Sequence, residues 1–147
     1  MMKNQINILS LLLSLLVFSS CEDEKVVPEA NLPAAATEFI STYYGNQQIM
    51  QTVQDFDDLL LSSTYQVTLS NLTRLEFTKK GEIIEIEGNT TIPTGAIPAS
   101  IVDKAQELFP TASVIGWELE DRKQEAYLSN QVSLKFDRNG VFLRIDD

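Results

Sequence analysis

The side chains with the most obvious capacity for chemistry in this 147-residue chain are carboxylates, which it carries in two clusters: Asp55, Asp57 and Asp58, then Glu118, Glu120 and Asp121. Carboxylate oxygens at that density are hard ligands of the kind Ca²⁺ takes. A calcium loop of the EF-hand type also needs a glycine at position 6 and a bidentate glutamate at position 12, and both are missing. Asp55, Asp57 and Asp58 therefore stand as the one calcium candidate beside the simpler reading of a solvated acidic loop. Paired carboxylates also serve glycoside hydrolysis when held about 5 to 9 Å apart across a cleft, but nothing in the sequence builds a cleft.

Other chemistries are excluded by inventory. The chain has no histidine, which removes the Ser-His and Cys-His dyads, the neutral-pH imidazole base and the common zinc sites. A single cysteine, Cys21, forms neither an internal disulfide nor a thiolate cluster. With 11 basic against 21 acidic side chains, the net charge of −10 argues against a nucleic-acid groove. The expectation is a protein without catalytic residues or cofactor that folds on its 44% hydrophobic content.

The first twenty residues read as a targeting segment. Lys3 gives a basic start and Ile6 to Phe18 is an apolar run of 13 residues, too short for a bilayer span of about 20. Val17-Phe18-Ser19-Ser20-Cys21 resembles a bacterial lipoprotein signal, with Phe18 departing from the usual leucine. That resemblance implies a lipidated Cys21 at the start of the mature chain, held on the membrane by acyl chains; the alternative is a free thiol after an ordinary cleavage site. Glu22-Asp23-Glu24 resembles the acidic export signal of surface lipoproteins in the Bacteroidetes group. Residues 21–31 read as the lipidated cysteine and a flexible acidic tether.

Beyond the tether the chain repeats itself. Leu69-Ser70-Asn71 with Leu75, Phe77, Gly81 and Ile86 recurs 59 residues later as Leu128-Ser129-Asn130 with Leu134, Phe136, Gly140 and Ile145, and Leu32-Pro33 recurs as Ile97-Pro98. Two copies imply a duplicated unit rather than a solenoid. Each opens with a helix, on the stripe Ala36, Phe39, Ile40 and Tyr43 and on Ile101, Val102, Ala105, Leu108 and Phe109, each started by a proline. Each then alternates as half-buried strands do, with turns at Lys80-Gly81 and Asn139-Gly140. The predicted fold is α+β: a duplicated helix plus antiparallel four-stranded meander, the helices packed on one face of the sheet. The copies are placed at residues 32–88 and 97–147, joined by a connector at 89–96.

These motifs resemble the PepSY-like lipoproteins of Bacteroidetes, a family described as similar to the beta-lactamase inhibitor protein, itself a duplicated helix-plus-four-strand unit. The resemblance implies binding or inhibition of a secreted enzyme and offers no catalytic residue to carry over.

If Leu128, Leu134 and Leu143 face the core, then Tyr127, Ser133, Lys135, Phe142 and Arg144 face away, as do Arg74, Glu76 and Ile83 in the first copy. Large rigid groups beside arginine make binding hot spots, so Tyr127, Phe142, Ile83, Arg144, Lys135 and Arg74 form the candidate partner face. The alternative is that the rings cap the sheet, pack on the tether or only make cross-strand pairs. Trp117 shares parity with Ile115 and Leu119 and is expected in the core. The sequence thus suggests a non-enzymatic module, exported and lipid-anchored to the cell envelope at the outer membrane, with an unknown protein or peptide partner and no nucleic acid. Inhibition of an envelope or secreted hydrolase and a structural role in outer-membrane assembly are the competing functions.

Overall fold

The computed structural model describes residues 24–57 and 62–146. Two helices, α1 (Ala34–Tyr44) and α2 (Ala99–Leu108), lie against nine strands: β1 (Lys25–Val26), β2 (Ile49–Asp57), β3 (Ser62–Leu69), β4 (Arg74–Thr78), β5 (Ile83–Glu87), β6 (Val114–Leu119), β7 (Lys123–Leu128), β8 (Ser133–Asp137) and β9 (Phe142–Asp146). All neighbouring strands are antiparallel and their spatial order is their chain order. The fold is α+β, as expected, but two details are corrected. The expected four-stranded meander of each copy is part of one continuous nine-stranded sheet, joined where β5 pairs with β6. The ninth strand comes from the segment read as a tether: Val26 pairs with Val53, the Val27 amide donates to the Thr52 carbonyl at 3.0 Å, and Val27 is buried. Two residues carry too little pattern to be recognised as a strand without their partner.

Register explains the core. Val67, Leu75, Ile86, Trp117, Ala126, Leu134 and Ile145 are paired one to the next across β3 to β9, so all project from one face. Phe77 and Phe136, two positions further along their strands, are completely buried on the same side. Ala36, Ile40, Ile101 and Ala105 from the helices join this cluster, which places both helices on that face. Trp117 is in the core, as its pattern indicated, and donates its indole N–H to Gln124 Oε1 at 3.1 Å; Gln124 in turn donates to the carbonyl of Arg138 at 2.9 Å.

The same local devices occur at matching places in both halves. Backbone φ is positive at Leu72 and Gln131, and again at Gly81 and Gly140. The Asn71 carboxamide accepts from the Thr73 amide and that of Asn130 from the Val132 amide, forming Asx turns. Thr78 Oγ1 accepts from the Lys80 and Glu82 amides in one hairpin, and Asp137 accepts from Asn139 and Val141 in the other. Each hairpin turn reaches the start of its helix: a side chain on Gly81 would meet the Ala36 nitrogen at 2.7 Å, and one on Gly140 the Ser100 hydroxyl at 2.6 Å.

Candidate functional site

With both helices on one face, the opposite face of the sheet carries the remaining alternate residues. Register assembles them into two rows. One runs Gln66, Glu76, Glu85, Glu118, Glu125, Lys135, Arg144 across β3 to β9, each residue directly opposite the next. The other runs Thr68, Arg74, Glu87, Gly116, Tyr127, Ser133, Asp146. Four successive carboxylates therefore stand side by side with an inter-strand spacing of about 4.8 Å, an arrangement that disfavours the charged forms.

The cations of the face are already engaged. Arg74 pairs with Glu87, Lys135 with Glu125, and Lys135 and Arg144 each approach Asp146 at 3.6 Å. Burial would raise the Glu125 carboxyl, but hydrogen bonds from Lys135 and Ser133 hold it below its ordinary range. Glu76, Glu85 and Glu118 make no salt bridge among the described residues. Burial, followed by the hydrogen bond and charge of Glu76 and the charges of Glu118 and Glu87, pushes Glu85 up to about 7.

A measurable pH dependence follows. Because Glu85 binds its proton more tightly folded than unfolded, its stabilising contribution is complete below about 4.5 and is lost as pH rises through about 7. Glu85 is only half-buried, and with allowance for solvent screening the effect is roughly 1 kcal/mol. Thermal melts should show Glu85→Gln more stable than the parent at about pH 8 and the difference closing towards pH 5. Equal stability of the two proteins at about pH 8 would place no strain on Glu85.

Beside the acidic row lies the aromatic feature of the face. Gly116 has no side chain, and the Tyr127 ring occupies the space: a Cβ at 116 would stand 3.1 Å from Tyr127 Cδ2 and 3.2 Å from its Cβ. A glycine within a strand commonly marks such close approach. The Tyr127 hydroxyl donates to Glu118 at 3.4 Å, and burial together with Glu125 and Glu118 raises its phenol above the ordinary value. Glu85, Glu87, Gly88, Ile115, Gly116 and Tyr127 line a trough of about 410 Å³.

Of the six residues proposed for the partner face, Tyr127, Arg74, Lys135 and Arg144 lie on this open face and Ile83 and Phe142 do not. β-Bulges between Glu76 and Phe77 on the β4–β5 ladder, and between Lys135 and Phe136 on the β8–β9 ladder, bring Ile83 opposite Phe77 and Phe142 opposite Phe136, on the helix side. Phe142 meets Phe136 edge to face at 5.8 Å, with Lys104 of α2 over its other side. Leu143, expected inward, falls at the bulge and is 58% exposed. Ile115, expected beside Trp117 in the core, lies at a third irregularity, between Val114 and Gly116, and lines the trough. The sequence reading missed Glu85 and Gly116; alternation assigns each to a face but cannot say which residue stands opposite.

Among the calcium candidates, Asp55 is on β2, opposite Thr64. Asp58 lies outside the described residues, as do Cys21 and the preceding segment. Among the described residues no group of three or more His, Cys, Asp or Glu is placed to hold a metal ion, and no helix is long and apolar enough to cross a membrane.

A nine-stranded antiparallel sheet with two helices on one side and a bare polar face on the other defines a class of open-faced α+β proteins. The chain belongs to the family described as "Putative beta-lactamase-inhibitor-like, PepSY-like", whose profile matches residues 63–144. Solved structures from Bacteroides share the fold. One, from Bacteroides thetaiotaomicron and described as a "putative calcium-regulated periplasmic protein", is 29% identical, with a TM-score of 0.79 over 85% of this chain and 98% of its own. A second, a "putative periplasmic protein" of the DUF2874 family from Bacteroides vulgatus, is 26% identical, with a TM-score of 0.81 over 86% and 99%. A third, described as a "putative periplasmic protein of unknown function" from the same species, is 28% identical, with a TM-score of 0.78 over 84% and 99%. No curated protein matches the chain.

Proposed function

We propose that this protein is a non-enzymatic module of the cell envelope that binds a protein or peptide through the open face of its sheet. The observation that carries the reading is the trough: Tyr127 packs against Gly116 beside the unpaired Glu85, on a face that neither of the two described helices covers. Large rigid side chains in a partly desolvated depression are the usual anchors of recognition. The periplasmic description of the Bacteroides neighbours supports export, and the lipoprotein-like Cys21 segment supports anchoring to the envelope, at the outer membrane.

Two further readings belong here. The matching turns, glycines and bulges at a 59-residue offset support descent of the two halves from one helix-and-four-strand unit, fused into a single sheet. The family description favours, as a second function, inhibition of an envelope or secreted hydrolase, for which the same face would be the contact surface. Photo-crosslinking in cells tests the main proposal: partner adducts should arise from position 127 and not from the outer surfaces of the helices.

A further inference from the structure

Resting on the open face as the contact surface, we propose that its occupant is an extended basic polypeptide segment whose lysine or arginine side chains lie along the Glu76-Glu85-Glu118 row and enter the adjoining trough lined by Glu85, Glu87 and the Tyr127 ring.

Two independent features select this occupant. The first is charge complementarity. Arg74, Lys135 and Arg144 are committed to Glu87, Glu125 and Asp146, whereas Glu76, Glu85 and Glu118 stand directly opposite one another and make no salt bridge among the described residues, Arg74 acting on Glu76 and Glu85 only at longer range. A positive group arriving there relieves repulsion already present in the free protein, so its gain is larger than that of an isolated surface pair. The second is shape. The trough of about 410 Å³ is walled by Ile115 and floored by Gly116 and the Tyr127 ring. That volume exceeds what a bare ion fills. It suits the methylene stem of a long basic side chain, which packs on apolar surface while its charged end lies beside an aromatic face and a carboxylate.

The spacing favours an extended segment. Glu76 and Glu118 are separated by two inter-strand steps, roughly 9.6 Å, and alternate residues of an extended peptide lie about 6.8 Å apart on one side. Two flexible side chains at positions i and i+2 span the row. A second copy of this chain does not suit the site, because the protein carries a net charge of −10.

The test titrates the full-length protein in detergent with dye-labelled peptides of six Ser-Lys or six Ser-Gln repeats, and with spermidine as a free polycation. The lysine peptide should bind saturably, about tenfold or more tighter than the glutamine peptide and than spermidine. Glu85→Gln with Glu118→Gln should weaken it about tenfold, while Glu38→Gln with Asp103→Asn, the same charge change on the helices, should leave it within about twofold. Equal loss in the two double variants means bulk attraction and overturns the inference. Equal binding of the two peptides, both lost in Tyr127→Ala, overturns the basic partner while leaving the open face as the contact surface. Spermidine binding as tightly as the lysine peptide removes the polypeptide from the proposal, and absence of peptide binding overturns it outright, with the open face then judged by crosslinking alone.

Discussion

Replacing Phe136 by alanine should destabilise the protein by about 3–5 kcal/mol, the range for deleting a buried aromatic side chain. Phe136 is completely buried, pairs with Phe142 across the β8–β9 ladder and stacks edge to face against its ring at 5.8 Å. It belongs to the same buried cluster as Ile101 and Ala105 of α2, and Lys104 of α2 lies over the Phe142 ring. Truncation leaves a cavity that β9, the last strand of the sheet among the described residues, fills poorly. Against a total stability of about 5–15 kcal/mol for a domain, a loss of this size leaves a marginal fold. Urea unfolding of parent and variant measures it; a cost below about 1 kcal/mol would mean that β9 collapses freely into the gap. Tyr127→Ala, on the opposite face, removes a ring that is 40% exposed and should cost only about 1–2 kcal/mol.

Gly81→Ala should be the more damaging of the two matching hairpin-glycine substitutions, Gly81→Ala and Gly140→Ala. Gly81 has φ +86°, a region that costs an L-residue about 1–2 kcal/mol. Its Cβ would also stand 2.7 Å from the Ala36 backbone nitrogen and 3.0 Å from the side chains of Ala35 and Pro33. Relief requires the first turn of α1 to shift, and overpacking of that kind adds about 1–3 kcal/mol, for a sum of roughly 2–5 kcal/mol. Gly140 has nearly the same backbone, φ +82°, but the obstacle there is the hydroxyl of Ser100, which can rotate away. Gly140→Ala should cost only about 1–2 kcal/mol. Equal costs at the two sites, measured by the same unfolding experiment, would mean that α1 yields as readily as a side chain.

These contrasts mark what the sequence makes legible. Period-2 alternation located β3, β4, β7 and β8, because each has one buried face and its apolar residues repeat every second position. Helix stripes and glycine turns were legible for the same local reason. Bulges leave no local mark. One extra residue in β5 and one in β9 moved Ile83 and Phe142 to the helix side, and the irregularity at Ile115 moved that residue to the trough. The acidic row was hidden differently. Glu76, Glu85, Glu118 and Glu125 each read as an ordinary outward residue, and only pairing across four strands makes them neighbours. Arg74, Lys135 and Arg144, read as binding groups, prove to neutralise carboxylates of their own face, which shifts the character of that face from basic to acidic.

The open face is tested most directly by placing a photo-crosslinking residue at single positions and irradiating living cells. Position 127 lies on the open face, and positions 42 and 106 lie on exposed surfaces of α1 and α2. A discrete adduct from position 127, lost when Glu85 and Glu118 are also changed to glutamine and absent from positions 42 and 106, is the expected result. Adducts from the helix positions with none from position 127 would contradict it and move the contact surface to the other side of the protein.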